Sequence, residues 1–184
     1  MMSESSLKLR MMIVTALFAA IIGVLAQITV PLPIVPITGQ TLAIGLAATI
    51  LGSRYGTLSV LLYLIIGAIG VPVFAQMSGG VGILFGPTGG FLIGFIPAAF
   101  VMGYFLEKTS FTLKYAIVAN VIGMFIALTF GTAWLKLVAE LSWPAAFASG
   151  FAPFIIVGLI KAFLAAWVGI LVRQRLASAK LLYA

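Results

Sequence analysis

The side chain in this chain best placed to do chemistry is Lys161, the one ionisable residue deep within an apolar stretch predicted to cross a membrane. It lies twelve residues before Arg173, about 18 Å up a helix that rises 1.5 Å per residue. That spacing puts the ammonium somewhat outward of the bilayer midplane. Ionisable groups at such depth ordinarily face the bundle interior and have a partner. Glu107 and Glu140 fall near predicted helix ends and there is no aspartate, so no carboxylate is available. A cation without counter-charge in an outward-open bundle suits an anionic ligand. Two plainer readings compete: the long stem carries the charge to the outer interface, or helix carbonyls absorb it.

A second group of candidates lies between Val71 and Gly90, which reads VPVFAQMSGGVGILFGPTGG. A solvated loop of this length would carry charge, yet this one has none and contains Val73, Phe74, Ile83, Leu84 and Phe85. Its glycines, Gly79, Gly80 and Gly89 among them, free the backbone to turn sharply and to bring N–H groups close to a ligand. Either the loop only packs across the mouth of a bundle, or it is a lid whose backbone, with Gln76, Ser78 and Thr88, lines a binding cavity. It is no phosphate loop, because Gly80-x-Gly82-x-x-x-Gly86 lacks the Lys-Ser/Thr of a nucleotide site. Upstream, Thr38, Gln40 and Thr41 open a helix; Thr38 suits a helix cap, and the three together suit a cavity rim. Asn120 is better suited to a hydrogen bond between helices than to a ligand.

Absences narrow the chemistry. Without His, Cys or Asp there is no metal set and no acid–base or nucleophilic constellation, so no catalytic residue is assigned and an enzyme is not expected. Ion-coupled transport ordinarily needs a membrane-embedded carboxylate or histidine, and no ATP-binding motif is present. The chain does not power uphill transport alone, and no cofactor is implied.

The elements that must position these residues follow from composition. Of 184 residues, 64% are hydrophobic and 7% charged, against about 45–50% and about 25% in soluble domains. The bilayer is therefore the solvent, and the whole of residues 1–184 reads as one all-α transmembrane domain. Six spans are predicted, at about 7–30, 38–51, 55–69, 90–106, 113–138 and 146–172, with an outer loop at 71–90. The second and third are short, and Arg54 between them favours two tight spans: at a turn it sits at a membrane surface, whereas in a re-entrant hairpin it would cost about 2.5–3.5 kcal/mol.

With both termini cytoplasmic, Lys8, Arg10, Arg54, Lys108, Lys114, Arg173, Arg175 and Lys180 fall on the inner side and Lys136 on the outer. The net charge of +7 is thus distributed over alternate loops, leaving no continuous stripe for nucleic acid. In the first span, Ala16 and Ala20 share a face with Ala19 and Gly23 beside them, a spacing that lets another helix approach closely.

Taken together, several runs resemble the BioY family: Pro33-Ile-Val-Pro-Ile-Thr-Gly-Gln40-Thr, Leu51-Gly-Ser-Arg54-Tyr-Gly56, and Leu61-Leu-Tyr63 through Gly67 to Phe74-Ala. So do Gly86-Pro-Thr-Gly-Gly90, Gly94-Phe-Ile-Pro97-Ala, Gly131-Thr-Ala-Trp134-Leu and Pro153-Phe through Lys161-Ala. The resemblance covers nearly the whole chain. It implies the biotin-binding S component of an energy-coupling factor importer, with six helices and a biotin site near the outer face covered by the 71–90 loop. It also implies partners, a transmembrane coupling protein and two ATPases, engaged through Ala16 and Ala20, and it puts Lys161 at the polar position of the last helix. The family often has Asp three residues before this lysine, where this chain has Gly158. The same architecture binding another small vitamin, or a passive facilitator, stays open.

Overall fold

The computed structural model describes residues 4–179, with side chains from residue 8 onward; Lys180 lies outside the described residues. The chain is mostly helical. In order it forms α1 (Glu4–Ala26), a short strand pair β1 (Thr29–Val30) and β2 (Ile37–Thr38), α2 (Gln40–Ala68), α3 (Val81–Phe85), α4 (Gly89–Lys108), α5 (Leu113–Val138), α6 (Trp143–Gly150) and α7 (Phe154–Ser178). Among the described residues, five helical stretches are long and apolar enough to cross a membrane.

The chain reverses direction within α2. Gly52 has φ 80° and ψ −170°, a backbone geometry that side-chain-bearing residues rarely adopt. Gln40 hydrogen-bonds Tyr63 at 2.6 Å, although 23 helical residues would separate them by about 35 Å. The two halves therefore lie side by side and antiparallel, with exposed Arg54 at the tip. Two polar side chains secure that tip. The Glu107 carboxylate accepts from the Ser53 backbone N–H and hydroxyl, each at 2.7 Å, and so caps the start of the second half. Arg173 donates to the carbonyl of Ile50 at the end of the first half, where a cation complements the helix dipole.

Elsewhere the helix ends depart from the predicted spans for local reasons. The first was expected to run to Val30, but α1 stops at Ala26 and Thr29–Val30 is extended. β-branched Ile28, Thr29 and Val30 followed by Pro31 favour that, because the residue before a proline is pushed out of the helical region. The last expected span, 146–172, is divided into α6 and α7 at Phe151–Pro153. Pro153 cannot donate the hydrogen bond a continuing helix needs, and it serves instead as the N-cap of α7. The expected loop contains α3 and a 3-10 turn at Ala75–Met77.

α2 packs on α1, α4 and α7, and α5 packs on α4 and α7. Buried Asn120 on α5 donates to Thr49 Oγ1 of α2 and to the Ala116 carbonyl, each at 2.9 Å, which is the interhelical role its residue type suggested. Ile156, Ile160, Phe163, Trp167 and Leu171 are exposed along α7, as expected of a helix face solvated by lipid.

Candidate ligand-binding site

At the end of the bundle opposite the Gly52 turn, the helices part around a cavity of about 330 Å³. Its floor and sides come from α2, α4, α5 and α7. The 34–38 segment and the loop after α2 form the roof. Most of the lining is apolar, with Phe74, Phe91, Phe95, Leu128 and Phe154 prominent, and polar groups converge from Thr38, Gln40, Thr41, Gln76, Ser78, Thr88 and Lys161.

Lys161 lies on α7, half-buried, with Nζ 2.7 Å from the Thr38 carbonyl and 3.4 Å from Thr41 Oγ1. Of the two plainer readings of this residue, uptake by a carbonyl is realised in part, although the oxygen belongs to β2 and not to a helix. Both contacts are neutral oxygens, and an ammonium has three donors. Its charge is therefore solvated by protein dipoles and not cancelled by a carboxylate among the described residues.

Gln40 reaches the wall but is committed to positioning. Its Oε1 accepts from Thr38 Oγ1 at 2.7 Å, and its Nε2 donates to the Tyr63 hydroxyl at 2.6 Å. Tyr63 in turn meets Phe74 edge to face at 5.5 Å between ring centres. The Phe74 ring fills the space where a β-carbon of Gly67 would lie, so the loop is plugged into α2 by one aromatic side chain.

Of the loop residues singled out from sequence, Gln76, Ser78 and Thr88 border the cavity. Ser78 Oγ donates to the Ala75 carbonyl at 2.7 Å, and its own carbonyl accepts from Phe74 N at 2.9 Å, closing a tight turn. Gly79, Gly80 and Gly89 are not on the wall. Gly79 is pressed against the backbone of Gly70 and Val71, Gly80 turns the chain at φ 100° and donates to the Gly67 carbonyl at 2.7 Å, and Gly89 abuts Leu84 where α4 begins. These glycines shape the loop. Ala16 and Ala20 are exposed on α1, away from the cavity.

Two roof anchors were not anticipated. The Gln27 amide, just past α1, donates to the carbonyls of Gly23, Val73 and Phe74 at 2.9, 3.3 and 3.0 Å, and its oxygen accepts from Met77 N at 2.8 Å. It holds a turn in which Gln76 and Met77 have φ of 59° and 54°, a conformation costing non-glycine residues about 1–2 kcal/mol each. At the loop's far end, Trp134 Nε1 donates to the Gly86 carbonyl at 3.0 Å. A lone amide at the end of an apolar span was the available signal for Gln27.

An all-α membrane bundle whose roofed, largely apolar cavity receives a few converging polar groups is a small-molecule binding or transport protein. Comparison with known proteins narrows this class. The model of the BioY family matches residues 1–178. Biotin transporter BioY2 of Lactococcus lactis subsp. cremoris is 43% identical over 157 residues, covering 85% of this chain and 86% of that protein. Biotin transporter BioY of Thermotoga maritima is 39% identical over 166 residues, 90% of this chain and 97% of that one. Among solved structures, the S-component for biotin from an ECF-type ABC transporter superposes with a TM-score of 0.86 at 28% identity, over 95% of both chains. The chain belongs to the BioY family.

Proposed function

We propose that this protein is the biotin-binding membrane component of an ATP-driven vitamin importer. Biotin combines an apolar fused ring and alkyl chain with a ureido group and a carboxylate. The cavity offers the matching inventory of aromatic and aliphatic walls, hydroxyls and amides at one rim, and one ammonium. The observation that carries the reading is Lys161, a cation bordering a roofed cavity with only neutral oxygens as its partners among the described residues. An acceptor oxygen of biotin would complete its hydrogen bonding, and expelling water from beneath the roof would strengthen that bond.

Uptake against a gradient then requires energy from elsewhere, since the chain has no nucleotide motif or coupling carboxylate. A transmembrane coupling protein and two ATPases fit that need, docking on α1 through Ala16 and Ala20, with both chain termini in the cytoplasm and the cavity opening outward. The exposure of both alanines supports this assignment.

The test is biotin binding to purified Lys161→Ala. Losing a charge-assisted hydrogen bond is expected to weaken affinity about ten- to a hundredfold, with membrane insertion and thermal stability retained. Equal affinity in wild type and variant would remove Lys161 from the site. Competition by other vitamins on the same preparation separates a biotin receptor from a receptor of different specificity.

A further inference from the structure

We infer that Met124 is the floor of the biotin site and sets how deep a ligand can enter; this deepens the biotin reading above and rests on it. Met124 borders two spaces, the main cavity of about 330 Å³ and a smaller one of about 30 Å³. Thr41, Phe95, Gly158 and Lys161 also border both, so the spaces adjoin. The smaller space lies deeper in the bundle. Along every contributing helix it adds residues one to two turns further from the roof: Ile44 beyond Thr41, Ala98 and then Met102 beyond Phe95, Asn120 beyond Met124, and Ala162 beyond Gly158.

The position of Met124 depends on a missing side chain. A β-carbon at Gly158 would collide with Met124 Sδ and lie 3.1 Å from its Cγ. Only a bare backbone at Gly158 lets the thioether rest against α7, where it partitions one space from the other. An unbranched, polarizable side chain is well adapted to such a surface, since it can adjust to an apolar ligand lying on it.

Beneath it, the compartment has room for about one water molecule. Asn120 borders it, with Nδ2 already engaged by Thr49 Oγ1 and the Ala116 carbonyl. A displaced methionine cannot drop into a space of that size. It is driven upward into the ligand's volume.

Biotin affinity measured across a four-protein cycle tests this. In the natural background, Gly158→Ala is expected to weaken binding about tenfold, the scale of overpacking a filled site. In the Met124→Ala background the same change is expected to have no effect, because nothing remains to be displaced. Met124→Ala alone joins the two spaces, so homobiotin, one methylene longer, should gain about fourfold relative to biotin, the worth of one buried methylene.

The length argument holds whichever end of the ligand points down, and it decides the matter if Gly158→Ala does not survive purification. Unaltered biotin affinity in Gly158→Ala, an equal loss in both backgrounds, or an unchanged homobiotin-to-biotin ratio in Met124→Ala would each overturn the inference. Failure of the wild type to bind biotin would instead overturn the functional reading.

Discussion

Among individual residues, Gln27 combines a large expected effect with the smallest sequence signal. One primary amide satisfies three carbonyls and one N–H, and three of these four groups belong to the roof. Those contacts hold Gln76 and Met77 in left-handed backbone geometry, which is unfavourable for both residues unless surrounding bonds impose it. Removing the amide therefore weakens the closed roof more than the bundle. Gln27→Ala is expected to accelerate biotin release about tenfold, since each hydrogen bond contributes about 0.5–1.5 kcal/mol net, while the thermal midpoint falls little. Gln27→Glu should be at least as damaging, because a carboxylate accepts from Met77 N but confronts the Val73 and Phe74 carbonyls with negative charge. Release rates from preloaded protein, chased with unlabelled biotin, measure this; rates matching wild type would mean that Gln27 merely decorates the loop. No periodicity or spacing marks such a residue, since its partners are backbone atoms some fifty positions away in sequence. Lys161, by contrast, was legible from sequence because a charge inside an apolar run is conspicuous whatever it touches.

At the scale of elements, prolines and glycines carried most of the readable information. Gly52, Pro153 and the Pro31 to Pro36 run each mark a real break. What the pattern could not supply was the consequence of each break. Pro153 was absorbed into a single long apolar stretch, because hydropathy barely changes across Phe151–Phe154 and only the missing N–H divides the helix. The end of α1 was overrun because Ile28, Thr29 and Val30 are as apolar as a span but stiff at χ1 and better suited to a strand. The face of α1 carrying Ala16 and Ala20 is where an element-level prediction belongs. Both side chains are exposed, while Phe18 and Ile22 are buried on the opposite side. Ala16→Leu with Ala20→Leu leaves the packed face untouched and blocks only close approach of a second helix. Biotin binding by the purified protein is expected to stay within about twofold, and cellular uptake through the importer to fall about tenfold or more. Normal uptake in cells expressing the double variant at wild-type level would refute this role for α1.

At the scale of the whole molecule, the two ends of the bundle differ in chemistry. One end gathers Arg54 at the α2 tip, Glu107 and Lys108 at the end of α4, and Arg173 over the Phe111 ring. The other carries the strand pair, the roof loop, and Lys136 over Trp143. Concentrating basic residues at one end predicts that this end faces the cytoplasm, and therefore that the roof meets the external solution from which ligand arrives. The absence of cysteine from the chain allows a clean measurement. Single substitutions Met77→Cys on the roof and Lys108→Cys at the basic end would be treated in intact cells with a membrane-impermeant maleimide. Met77 is 66% exposed and Lys108 lies at a helix terminus, so both introduced thiols are accessible and neither change empties the core. Labelling of Met77→Cys in intact cells, and of Lys108→Cys only after permeabilisation, is the expected pair of results. The reverse pair would place the cavity mouth on the inside. The polar inventory of the site would then serve export or sensing, and the basic cluster at the α2 tip would need an explanation other than orientation.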